Sequence, residues 1–562
     1  MLNQITYSLP ENLEKAVQTK FDEWKKDDKI FRLWSGDASV WTNDDEDKWL
    51  GWLEIAEAEL SDVQKYLDFA EEAKKFSDIV LLGMGGSSLC PEVLAITFGK
   101  KNFHILDSTV PAQIKTLESK IDLERTLFIV ASKSGSTLEP NTFKQYFFER
   151  VAERVGRENA GKQFVAITDP NSKMQKVAER DNFRKIFFGN PEIGGRFSAL
   201  SVFGMIPAAA MNLDVEEFLQ RSQEMINACK SHVPKENPGA ALGTILGVCQ
   251  TNGRDKVTIF TSEEIHDLGA WLEQLLAEST GKNDVAIIPV DREKIGKPED
   301  YGNDRVFAYL KLKNSTDDSL DEKISALEES DQVVVKIELA DRMNLGQEFF
   351  RWEFATAVAG AIMQINAFNQ PDVEAAKIEA KKITEEYEKT GELPEETPFY
   401  EEDGIKLFTD EKNTEELNEY LNGEKSLTNY LKAHFSRILE NDYFGLLAYI
   451  ERNEENADSL QKIRHHVFEE KKIATCLGFG PRFLHSTGQA YKGGGNNGVF
   501  LQITSDDAVD FDVPEQKFTF GVVKAAQARG DFQVLLDRER RALHVHLEKD
   551  VKEGLRKIIA AI

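Results

Sequence analysis

The pattern that most restricts how this chain can fold is a repeated pairing: a short apolar run ending in Gly, Ser or Asp, then a stretch of helical periodicity. From Asp78 it runs through DIVLLGMG, NFHILDST, TLFIVASK and QFVAITDP. Strands that are apolar throughout are covered on both faces, and the helices between them supply both the covers and the crossovers, so the rhythm predicts a parallel sheet. A second series, KVTIFTS, DVAIIPV, RVFAYLKL and QVVVKIEL, predicts another, and IATCLGFG with GVFLQIT adds late strands. The expected class is α/β, with two doubly wound parallel-sheet domains, additional helices and a C-terminal extension. The boundaries read as a helical segment over 1–75, a first domain over 76–225, and a second over 226–383 that 465–510 completes. Residues 384–464 read as an acidic excursion with helices, and 511–562 as an α/β extension. Leu13, Val17, Phe21 and Trp24 recur at helical spacing, which marks the first segment as amphipathic packaging.

Charge narrows the partners. With 97 acidic against 69 basic residues the formal charge is -28, which repels nucleic acid and anionic membrane over most of the surface. An anionic ligand must therefore be caught by a local site. Cys90, Cys229, Cys249 and Cys476 are scattered without metal-ligand or disulfide spacing. The amino terminus is polar and mixed, and no apolar run approaches the roughly 20 residues of a membrane span. A soluble cytoplasmic protein is expected.

In open parallel sheets ligands sit beyond the carboxyl ends of strands, where N–H groups and helix starts converge. Two strand ends here have that chemistry. In LLGMGGSSL, Gly83, Gly85 and Gly86 permit a close turn before Ser87 and Ser88, but a dinucleotide fingerprint wants glycine at position 88. In ASKSGSTLEP, Ser132, Ser134, Ser136 and Thr137 surround Lys133, offering hydroxyl donors and one point charge. Helix capping is the alternative use of such hydroxyls. Two such turns in adjacent units favour a phosphorylated small molecule. A third glycine turn, EIGGRFSAL, carries Arg196, which suits an oxyanion or a surface carboxylate equally.

Proton-transfer candidates come from helical faces. In HDLGAWLEQLLAESTGK the apolar stripe of Leu268, Trp271, Leu272, Leu275 and Leu276 continues onto Glu278. Burial raises a carboxylate's pKa and can poise it as a general base; an exposed last-turn glutamate is the alternative. In FNQPDVEAAKIEAKKI the stripe of Val373, Ala376, Ala380 and Ile383 contains Lys377, which either reaches a site or snorkels to solvent. His485, in GFGPRFLHSTGQAYKGGG, is the histidine with the most suggestive context. His544 and His546 share a strand face with no third ligand in view, so no metal is expected.

Taken together these elements resemble the phosphoglucose isomerase family, aldose–ketose isomerases built from two sugar-isomerase (SIS) domains. GMGGSSLCP is similar to its GxGGSxLGP turn, SKSGSTLEPN to its phosphate loop, GGRFS to GGR(Y/F)S, ESTGK to ESxGK, and FNQPDVEAAK to FDQxGVExGK. The resemblance implies that Ser87, Ser132, Lys133, Ser134, Thr137 and Gln370 hold the sugar phosphate. It implies that Glu278 carries the proton between C1 and C2, Arg196 stabilises the enediolate, and Lys377 and His485 assist ring opening, with Glu139 orienting the histidine. It further implies interconversion of glucose 6-phosphate and fructose 6-phosphate in glycolysis and gluconeogenesis, a small-molecule partner, no cofactor and a homodimer. A broader isomerase that also takes mannose 6-phosphate, and a silent SIS sensor, are the competing expectations.

One element is out of family order. HSTGQ follows the lysine helix and the acidic excursion, an order similar to the isomerase half of bifunctional transaldolase–isomerase proteins. A transaldolase barrel would need roughly 250 residues more, so isomerase activity alone is expected. His485 and Gln489 are the two residues this reordering affects, and the family's histidine comes from the neighbouring subunit.

Overall fold

The computed structural model describes residues 1–421 and 423–562. Its first element is not a helix but strand β1 (Gln4–Ser8), so the amino-terminal segment supplies an edge strand as well as helical packaging. The helix Glu11–Lys26 follows and buries Leu13, Val17, Phe21 and Trp24. Next come β2 (Asp78–Leu82), β3 (Phe103–Leu106), β4 (Thr126–Ala131), β5 (Phe164–Thr168) and β6 (Lys185–Phe188). They form an all-parallel sheet in the order β3-β2-β4-β5-β6. The chain leaves β2 toward β3 and returns on the other side to β4, so the strand order reverses between β2 and β4. Ligand crevices form where such neighbours part. Those two strands are the ones that end in the serine-rich turns.

The second sheet contains β7 (Lys256–Thr261), β8 (Ile288–Asp291), β9 (Arg305–Leu312) and β10 (Val333–Leu339), with β1 antiparallel against β10. One apolar core joins it to the first sheet, packing Leu81, Ile129 and Ile167 with Val257, Ile259 and Val335. Two helices buried along most of their length, Pro238–Thr251 and Leu345–Met363, lie within that core, the second with Gln347, Glu348, Arg351 and Glu353 buried among its apolar residues. The helix Leu268–Thr280 also packs into it, and Trp271 meets the Phe349 ring edge-on at 4.8 Å. Truncating a buried tryptophan of this kind to alanine costs about 3–5 kcal/mol.

A third sheet departs from the sequence expectation. It holds β11 (Tyr400–Glu402), β12 (Ile405–Phe408), β13 (Tyr443–Tyr449), β14 (Ala474–Phe479), β15 (Gly498–Ser505) and β16 (Arg541–Leu547), in the order β11-β12-β16-β15-β13-β14. Residues 465–510 therefore do not complete the second sheet. Their strands β14 and β15 pair in parallel with β13, from the stretch read as an excursion, and β16, from the extension, flanks β15. The reason is the run YFGLLAY, buried at every position, which offers both edges to apolar neighbours. The acidic stretch from 384 begins as the last turns of the helix Pro371–Thr390 and continues into the β11–β12 hairpin.

Candidate active site

A cavity of about 640 Å³ opens where β2 and β4 part. Eight of the eleven residues singled out from the sequence line it: Ser87, Ser132, Lys133, Ser134, Thr137, Arg196, Glu278 and Gln370. The two glycine turns that roof it touch backbone to backbone, since a Cβ on Gly86 would lie 2.0 Å from the Gly195 carbonyl oxygen. Only glycine lets the Arg196 turn approach the β2 end so closely.

Capping does not consume the hydroxyls. Ser88 and Thr137 occupy the caps of the following helices without a side-chain hydrogen bond to them. Ser132 is 2% exposed, and its Oγ has no hydrogen-bond partner among the described residues. Ser134 and Ser136 share a 2.7 Å hydrogen bond. Lys133 differs from the expectation of a free charge. Its Nζ donates to Asp169 Oδ2 at 2.6 Å and to the Asn190 carbonyl at 2.9 Å. Asp169, missed in the sequence, lies at the end of β5 beside β4 and offsets the ammonium.

On the opposite wall Glu278 is 7% exposed, at the last turn of its helix. Gln274, one turn earlier, donates to Glu278 Oε2 at 3.0 Å, and Arg196 Nη1 lies 3.3 Å from Oε1. The guanidinium also donates to Ser279 Oγ at 2.9 Å and Gln370 Oε1 at 2.9 Å, and to the carbonyls of Ala367 and Asn369. Burial lowers the Arg196 pKa from its ordinary value, opposed by the Glu278 charge. Lys282, also missed, donates to the Asn366 carbonyl at 2.7 Å and the Asn369 carbonyl at 2.5 Å, fixing the turn that presents Gln370. Burial, then the neighbouring Arg196 charge, push its pKa well below the usual lysine range.

His485 and Glu139 lie just behind this wall. His485 Nε2 is 2.9 Å from Glu139 Oε1, and the His485 carbonyl accepts from Gln274 at 2.8 Å, so one amide spans His485 and Glu278. Burial pushes the Glu139 pKa up, but the charge and hydrogen bond of His485, with the more distant Lys377 ammonium, hold it below the usual carboxylate value. Gln489 donates to the Gly281 carbonyl at 2.7 Å and accepts from the backbone N–H groups of Asp372 and Val373, at 2.9 and 3.0 Å. It ties the end of the Glu278 helix to the start of the Pro371–Thr390 helix.

Lys377 is a correction. The buried face of its helix is Val373, Ala376 and Ala380, whereas the Lys377 side chain is 44% exposed and pairs with Glu374 at 2.7 Å. The helix packs on Phe520–Asp537 through a narrow stripe, where the backbone at Ala376 and Ala380 runs against Gly530. Lys377 falls beside that stripe, with Glu374, which lines the cavity mouth. His544 and His546 share the Thr504 hydroxyl, each at 2.7 Å, and no group of three metal-ligating side chains occurs among the described residues.

Parallel sheets joined through one core, with a hydroxyl-rich crevice at the first sheet's reversal, define an SIS-type α/β protein. Residues 68–295 match the family model described as phosphoglucose isomerase. Over that region the chain is similar to the phosphoglucose isomerase family. A probable glucose-6-phosphate isomerase of Methanococcus maripaludis is 28% identical over 369 residues, 58% of this chain and 82% of that protein. Among solved structures, a hypothetical protein of Thermus thermophilus shares the fold with a TM-score of 0.57 at 23% identity, covering 67% of this chain and 99% of its own. A glucose-6-phosphate isomerase of Chlamydia trachomatis does so with a TM-score of 0.50 at 21% identity, over 57% of this chain and 72% of its own.

Proposed function

We propose that this chain interconverts glucose 6-phosphate and fructose 6-phosphate by moving a proton between C2 and C1 through a cis-enediol. The observation that carries the reading is the shared cavity: a buried carboxylate, Glu278, held by Gln274 and Arg196, opens onto the same space as the uncommitted Ser132 hydroxyl and the Thr137 cap. Glu278 takes the C2 proton of the open aldose; the carbonyl oxygen O1 gains a proton as the enediol forms, and the carboxyl returns its proton to C1 while O2 loses its own. Arg196, already against Glu278 and Gln370, supports the negative charge that develops on the enediolate oxygens. His485, oriented by Glu139, serves the ring-opening proton transfer.

The lining carries Asp45, Asp169, Glu278 and Glu374 against Lys133 and Arg196. Phosphate binding therefore rests on neutral donors, the hydroxyls of Ser87, Ser132, Ser134 and Thr137 and the N–H groups at the starts of the two helices they precede. The test is Glu278→Gln in a coupled assay. A positioned general base contributes about 10²–10⁴-fold, so activity falls by that factor. Activity within a few-fold of the parent would falsify the base assignment. Solvent-deuterium incorporation into fructose 6-phosphate reads the same proton independently, and a protein that only binds the sugar incorporates none.

A further inference from the structure

Glu139 Oε1 accepts two hydrogen bonds. One comes from His485; the other comes from Gln527 Nε2 at 2.6 Å, on the helix Phe520–Asp537 that packs beside the third sheet. The other end of the same amide is also engaged, because Gln527 Oε1 accepts from Thr109 Oγ1 at 2.7 Å. Thr109 is 0% exposed, Glu139 3% and Gln527 5%, so water does not compete for these bonds. The amide orientation is fixed by chemistry. Only its NH₂ end can face a carboxylate that must accept, which leaves its oxygen for the threonine hydroxyl. Thr109 follows β3, Glu139 opens the helix after β4, and Gln527 comes from the far C-terminal part of the chain. Three buried side chains, Thr109, Gln527 and Glu139, form one series that ends on the partly exposed His485.

We propose that Gln527 is a positioning residue for the isomerase site: it fixes the Glu139 carboxylate in its ionised form and in the orientation that aims His485. This rests on the proposed isomerase reading and deepens it, because it makes the region beyond residue 510 part of the proton-transfer apparatus. A hydrogen bond donated to a carboxylate stabilises the charged form, more so in a dry setting. A carboxylate held at one oxygen by two donors cannot swing, and the imidazole plane is set with it.

The experiment compares Gln527→Leu, Thr109→Val and Glu278→Gln with the parent, reading kcat, KM, the pH–rate profile and the ¹³C-carboxyl titration of Glu139. In Gln527→Leu the anion loses a donor, so the Glu139 midpoint moves up by about one pH unit, the tenfold that one charge-assisted bond is worth. The acidic limb of kcat moves up with it, and kcat falls about tenfold with KM nearly unchanged. Thr109→Val, nearly isosteric, loosens the far end of the amide and gives a smaller change in the same direction. It decides the matter alone if Gln527→Leu does not fold. Parent-like kcat and midpoint in the folded variants overturn the proposal, and a shifted midpoint with unchanged kcat overturns its catalytic half. If Glu278→Gln keeps parent activity, the isomerase base assignment fails, while the Glu139 titration still reports on Gln527 by itself.

Discussion

Lys133 shows how one side chain's partner alters what it contributes. A lone ammonium at a phosphate corner would attract the substrate, yet Asp169 sits 2.6 Å away and both are about one-fifth exposed. Partly exposed pairs of this kind are worth about 0.2–1 kcal/mol, so the carboxylate forgoes a modest gain in affinity and also limits the corner's grip on product. Asp169→Asn should therefore lower KM for the sugar phosphate by about two- to fivefold, with kcat unchanged, and should steepen the dependence of KM on salt. Steady-state kinetics at two ionic strengths check it, and an unchanged or raised KM contradicts the account. Ser87, Ser132 and Thr137 were legible as lining of one crevice because two hydroxyl-rich turns end adjacent strands. Asp169 and Gln274 were not, because each matters only through a neighbour that folding brings near. Lys377 was misplaced because a stripe drawn from spacing alone does not show how narrow the facing groove is.

The helix Leu268–Thr280 serves two cavities. Gln274 and Glu278 face the large one, while Ala270 and Glu273, with the cap residue Asp267, face a smaller cavity of about 160 Å³ shared with Asp291, Arg292, Arg452, Arg464 and Arg482. Burial, then repulsion from Asp291, push the Glu273 carboxyl up to about 8, against the pull of Arg464, Arg292 and Arg482. An acid with a raised pKa in the folded state keeps a proton that the unfolded chain releases. Stability therefore falls as pH rises from the ordinary carboxylate range to about 8, then levels. Glu273→Gln removes that dependence. Its stability should match the parent near pH 4.5 and exceed it by at least about 1 kcal/mol at pH 8, less than the shift of one pKa unit that is worth about 1.4 kcal/mol. Denaturant melts at the two pH values test this, and a gap that does not widen with pH refutes it. The two series of strands were legible from their apolar runs, but β13 was not. A seven-residue apolar run is ambiguous between strand and buried helix, and its neighbours β14 and β15 reveal the third sheet only by pairing with it.

At the scale of the molecule the site draws on all three sheets. Ser87, Ser132 and Glu139 follow strands of the first, Glu278 is on a helix after β7, and His485 and Gln527 belong to the region around the third. The histidine that the family takes from a neighbouring subunit here reaches Glu139 of its own chain, at 2.9 Å. Placing HSTGQ after the lysine helix has a structural consequence: the strand β14 that precedes it lies beside β13, and the motif is delivered across Gly281 by Gln489 without a second copy. One chain then holds every group the proposed reaction uses. Specific activity should stay constant on dilution through any range in which sedimentation shows the assembly dissociating. The decisive complement is a mixing experiment. Combining His485→Ala with Glu278→Gln restores activity only where subunits exchange residues at shared sites. With both groups supplied in cis, every site in the mixture lacks one of them, and activity should remain at the level of the two inactive variants whatever their ratio.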